Sequence, residues 1–146
     1  MTTCHGKGVV VDRVWTSRPG WARAAVLAAA VVIAAHGLVH LMGVALLWKL
    51  GEPGQLRYAD AVPAPGSAAA EVAGGVWLLA AVLFVTAAVL LVAGRAAWRM
   101  TALAGVVVSV PVIGLAAGQA VAGLVVDGLV LVLVAVSWLR ARAVAS

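Results

Sequence analysis

The stretch AAVLAAAVVIAAHGLVHLMGVALLW, running from Ala24 to Trp48, decides the fold of this chain. It contains no Asp, Glu, Lys or Arg, and only His36 and His40 interrupt its apolar character. Its 25 residues wound as a helix cover roughly 37 Å, enough to cross a bilayer with some tilt. A polar side chain within such a span is costly unless it finds a partner, so the two imidazoles mark the place where function or packing is concentrated.

Composition points the same way. Of the 146 residues, 65% are hydrophobic and 10% charged, against roughly 25% charged in a soluble domain. A mean hydropathy of +1.14 leaves too little polar surface to coat a soluble particle of this size. The net charge of +5 is scattered through the gaps between apolar runs, which reads as topology and not as a nucleic-acid surface. The single cysteine, Cys4, excludes an internal disulfide and a multi-cysteine zinc site.

Working outward, three more apolar segments follow. The second, about 71–94, is opened by Pro63-Ala64-Pro65-Gly66-Ser67, where Pro and Gly stop a helix and Ser67 suits an N-cap. Arg95 and Arg99 precede a third segment, about 100–118, and a fourth spans about 124–139. Met100 to Leu139 as one helix would reach roughly 60 Å, twice the hydrocarbon thickness. Gly118-Gln119 and Gly123 therefore mark a turn between two short spans. Pro111, within the third segment, is expected to kink it as a packing feature.

The cations test this count. Lys7, Arg13, Arg18 and Arg23 precede the first span, Arg95 and Arg99 separate the second from the third, and Arg140 and Arg142 follow the fourth. With four spans all of these share one side, while the other side receives Lys49 and Arg57, offset by Glu52 and Asp60. The positive-inside rule then predicts an all-α integral membrane four-helix bundle with both termini cytoplasmic. Residues 1–23 form a hydrophilic tail, 24–139 the bundle and 140–146 a short second tail. Trp21, Trp98 and Trp138 are expected at the inner interface and Trp48 at the outer. A signal peptide is the weaker reading of the first span, because the apolar run continues past any cleavage site near Ala34-Ala35.

His36 and His40 stand four residues apart and so share one helix face, with Cβ atoms about 5–6 Å apart. That spacing can offer two imidazoles to one metal ion, with Glu71 or Asp127 from other helices completing the set. It suits haem poorly, because opposed axial ligands must come from opposite faces. The structural reading is that each imidazole hydrogen-bonds a neighbouring helix, with Thr86, Ser109 and Ser137 as candidate hydroxyls, at about 0.6 kcal/mol per bond. A proton relay is the third reading. Glu71 and Asp127 taken singly suit the first turns of their helices, where a carboxylate complements the dipole. Cys4-His5 supplies too few ligands for a metal site, Gly6-Lys7-Gly8 lacks the flanks of a phosphate loop, and no nucleophile elbow or Cys-x-x-Cys occurs.

The string Ala35-His36-Gly37-Leu38-Val39-His40-Leu41-Met42-Gly43, followed after a hydrophilic loop by Gly75-Val76-Trp77-Leu78-Leu79-Ala80-Ala81, resembles a group of small bacterial four-span membrane proteins. That group carries an HGxxHLxG pattern in its first helix and a WLLAA-like run in its second. The resemblance covers about residues 30–139. More loosely the layout is similar to the DoxX-like family, some members of which associate with membrane oxidoreductase complexes. It implies a four-helix fold in the bacterial cytoplasmic membrane and supplies no reaction.

Three functions follow as expectations. The first is a non-enzymatic accessory or scaffolding subunit, partnered by lipid and by copies of itself or a larger membrane complex. The second is a redox component binding a transition metal or haem through His36 and His40. The third is a small proton-coupled transporter, which four short spans permit only as an oligomer.

Overall fold

The computed structural model describes residues 19–51, 63–115 and 121–145. These form four helices: α1 (Gly20–Leu47), α2 (Ala68–Val92), α3 (Trp98–Leu115) and α4 (Val121–Ala145). The expected turn at Gly118-Gln119, the Cys4-His5 pair and the loop residues Glu52, Arg57 and Asp60 lie outside the described residues. Three helices are long and apolar enough to cross a membrane, namely α1, α2 and, over Ala122–Ala143, α4. Helix α3 is apolar but shorter; its 18 residues give roughly 27 Å, close to the ~30 Å hydrocarbon thickness.

Each helix boundary has a local cause. Pro19 fixes an extended turn before Gly20, and its carbonyl accepts the Ala22 and Arg23 N–H groups at 3.0 and 3.2 Å. Ser67 caps α2 as its sequence position predicts, its hydroxyl oxygen accepting the Ala70 N–H at 3.2 Å. At the far end of α2, Gly94 adopts φ 67°, and Arg95 N–H reaches back to the Leu90 carbonyl in a Schellman turn. Helix α1 closes in the same way, with Leu50 N–H on the Ala45 carbonyl, but Lys49 occupies the left-handed position at φ 55°. The fourth helix is longer than the segment 124–139 expected from apolarity alone. It continues through Arg140 and Arg142 to Ala145, because Ala and Arg both favour helix once the chain leaves the apolar stretch.

Successive helices run antiparallel. Two paired contacts set the α1–α2 packing: the Trp77 ring lies on Gly43, and the Trp48 indole lies on Gly74. A Cβ at position 43 would come within 2.5 Å of the Trp77 ring. Trp48 also donates its indole N–H to the Glu71 carbonyl oxygen at 3.1 Å. The α2 face turned inward is a stripe of small residues, Ala70, Gly74, Ala81 and Ala88, broken by Phe84. Such a stripe lets helix axes approach where no water drives them together.

The dry core occupies one half of the bundle. Ala30 and Ile33 of α1, Phe84 and Ala87 of α2, Trp98, Ala102 and Val106 of α3, and Val130 and Val134 of α4 form one cluster. Trp98 is thus turned into this core, 6% exposed, and does not stand in an outward belt; Trp21, 75% exposed, does face outward. Helix α1 lies chiefly against α2, α2 against α3, and α3 against α4. Among the described residues α1 and α4 touch at few positions, so the closing side of the bundle needs another fastening.

Candidate functional site

That fastening is polar. The buried face of α1 repeats every three or four residues through Ala30, Ile33, His36, Gly37, His40, Val44 and Leu47, which places both histidines inward. Opposite them stand Ser109, six residues before the end of α3, and Asp127, in the second turn of α4. These four are the buried polar side chains among the described residues, and Ser109 and His40 are at most 1% exposed.

They form an unbroken chain. His36 donates its Nε2–H to Asp127 Oδ1 at 2.8 Å. The other carboxyl oxygen, Oδ2, lies 2.8 Å from Ser109 Oγ. Ser109 Oγ in turn lies 2.9 Å from His40 Nε2. His40 Nδ1–H donates to the His36 carbonyl oxygen at 2.9 Å, which fixes the second imidazole on its own helix. Three helices, α1, α3 and α4, are therefore tied by side chains alone.

Aromatic rings seal this chain from the dry core. Phe84 is fully buried, with its ring centroid 4.8 Å from that of His36 and 5.5 Å from that of His40. The Trp77 ring tilts over His40 at 5.1 Å, and the two imidazoles meet edge to face at 4.7 Å. Helix α2 thus contributes walls and no polar group.

Of the acids proposed as partners for the histidines, the structure brings in Asp127 and leaves Glu71 out. Glu71 is exposed near the N-terminus of α2, beside a cleft lined by Leu47, Trp48 and Gly66. Of the candidate hydroxyls, Ser109 joins the site. Ser137 donates within its own helix to the Val134 carbonyl oxygen at 2.8 Å, and Thr86 faces outward.

The geometry bears on what chemistry is open to these residues. A metal site needs lone pairs from several ligands aimed at one point about 2.0–2.2 Å away. Here the donor and acceptor atoms are aimed at each other, and no group of three or more His, Cys, Asp or Glu among the described residues has a metal-holding arrangement. Serine, histidine and aspartate in contact also suggest an acyl-transfer triad, but the order is wrong for one. The acid of a triad orients the imidazole through Nδ1, whereas His40 Nδ1 is on a backbone carbonyl and Asp127 bonds the serine itself. The serine is also fully buried, with no face for a substrate.

Comparison with protein-family models, with curated proteins and with solved structures finds no significant match to this chain.

Proposed function

We propose that this chain is a four-span protein of the bacterial cytoplasmic membrane, with both ends on the cytoplasmic side and no catalytic site of its own. It acts as an accessory or scaffolding subunit, assembling with copies of itself or within a larger membrane complex. One observation carries this reading. Each buried polar side chain among the described residues is bonded to another of the same set, so the polar groups hold the bundle together instead of facing a substrate. The outward faces carry Val31, Met42, Val72, Val107 and Leu129, all more than half exposed, which suit acyl chains and neighbouring helices equally.

The test has two parts. Detergent-purified protein is expected to be colourless and free of stoichiometric metal, and crosslinking in native membranes is expected to give a defined oligomer or a defined hetero-complex. A visible haem band, or bound metal lost on His36→Ala, overturns the reading in favour of a redox component. A chain that remains a lone monomer in native membranes removes the scaffolding role.

The same network supports a second reading, a proton-coupled carrier working as an oligomer, because ionisable groups in contact at membrane depth mark proton pathways. Liposome flux abolished by Asp127→Asn would favour it.

A further inference from the structure

We propose that His36, Asp127, Ser109 and His40 together form a binding site for one proton beyond those held by a carboxylate and two neutral imidazoles. The inference rests on reading these side chains as bonded to one another. A metal found at the site would remove both that reading and this one, whereas the measurements below bear on the proton alone.

The hydrogens of a carboxylate, a serine and two neutral imidazoles fall one short of the contacts they must fill. A carbonyl oxygen only accepts, so the contact between His40 Nδ1 and the His36 carbonyl places a hydrogen on Nδ1. A neutral His40 then has none on Nε2. Three contacts remain, His36 Nε2 to Asp127 Oδ1, Asp127 Oδ2 to Ser109 Oγ, and Ser109 Oγ to His40 Nε2, all between 2.8 and 2.9 Å. Each needs a hydrogen between its heavy atoms. The neutral His36 supplies one and the serine hydroxyl supplies one. The third contact goes without, and two lone pairs face each other in a buried site.

One added proton completes the set in either of two ways. With the proton on Asp127, Oδ2–H donates to Ser109 Oγ, and Oγ–H donates to His40 Nε2. With the proton on His40, Nε2–H donates to Oγ, and Oγ–H donates to Oδ2. The two forms differ by a shift of two hydrogens through the serine and by no change in heavy-atom position. Both are neutral overall, whereas the form without the proton carries a net negative charge at membrane depth, where charge is disfavoured. A hydronium ion of the solvent supplies the proton: one of its O–H bonds breaks as the new O–H or N–H bond forms, and a water molecule is left.

Among the described residues no other charged side chain faces the site. Of the polar side chains described, α1 brings the two histidines to the site, α3 the serine and α4 the acid, while α2 packs the Phe84 and Trp77 rings against it. The remaining charged side chains of the described helices, Arg23, Glu71, Arg99, Arg140 and Arg142, stand toward helix ends, with Lys49 and Arg95 just beyond them.

The test labels the aspartate carboxyl carbon and the histidine nitrogens in protein held in lipid nanodiscs at neutral pH. A carboxylic-acid carbonyl band that disappears in Asp127→Asn upholds the proposal with the proton on Asp127. A doubly protonated His40 in the nitrogen spectrum upholds it with the proton on His40. A carboxylate together with two singly protonated imidazoles overturns it. A second measurement uses substitution. Asparagine keeps an oxygen for His36 and offers a fixed N–H to Ser109, so Asp127→Asn is expected to stay within about threefold of the wild-type folding equilibrium. Asp127→Ala is expected to fall at least about tenfold below it, close to 1.4 kcal/mol. An asparagine variant as weak as the alanine variant counts decisively against a proton at this place.

Discussion

Replacing Ser109 by alanine removes the hydroxyl through which α3 ties His40 to Asp127. Its hydroxyl oxygen links His40 Nε2 and Asp127 Oδ2, at 2.9 and 2.8 Å, and the side chain is fully buried. Removal of one oxygen creates a small cavity and deprives two groups at once. Interhelical hydrogen bonds inside membranes average about 0.6 kcal/mol and reach about 1.7, so loss of two places the expected destabilisation at about 1–3.5 kcal/mol. The upper part of that range is favoured by burial, since neither orphaned group has water to turn to. Reversible unfolding in mixed micelles measures it, with tryptophan fluorescence as the signal; Trp77, against His40, reports the site directly. Ser137→Ala is the internal control, because that hydroxyl bonds only its own helix, and a change within about 0.5 kcal/mol is expected there. A cycle with His40→Ala sharpens the result, since residues in one network couple by about 0.5–3 kcal/mol. If Ser109→Ala behaves like Ser137→Ala, or if its effect adds to that of His40→Ala without coupling, the network does not clamp the helices and the reasoning fails.

Two further predictions concern the helix contacts. Gly43→Val drives a side chain into the Trp77 ring, and we expect a loss of about 1–3 kcal/mol, read in the same unfolding assay. Lys49→Gly relieves a left-handed backbone at φ 55° in the turn after α1, and a gain of about 1 kcal/mol is expected by the same measurement, with no change in the spectrum of the buried histidines.

The parts of this structure that follow from one-dimensional pattern were legible in the sequence. A run with no charge, punctuated by Pro-Gly-Ser, gives helices and a cap at Ser67, and the four-residue spacing of His36 and His40 gives a shared face. The serine at 109 stood among the candidate hydroxyls for the same reason, since few polar side chains occur at membrane depth. What pattern could not decide is rotation. Helices that are apolar all round do not announce which side turns inward, so the choice between Asp127 and Glu71 depends on how α2 and α4 are turned about their axes. The inward turn of Trp98 escaped for a related reason, as a residue at a helix end can face the interface or the core without any change in sequence. The small-residue stripe on α2 was hidden because alanines occur throughout that helix and only packing selects Ala70, Ala81 and Ala88 from among them.

The bond from His36 to Asp127 spans 91 positions along the chain. In chain order the first three helices are made before the carboxyl group exists. At that stage Ser109 can already satisfy His40, while His36 has no acid to meet. Until α4 has joined, His36 Nε2 lacks the partner it has in the finished bundle. The last helix to be made thus supplies the partner of a side chain made 91 positions earlier.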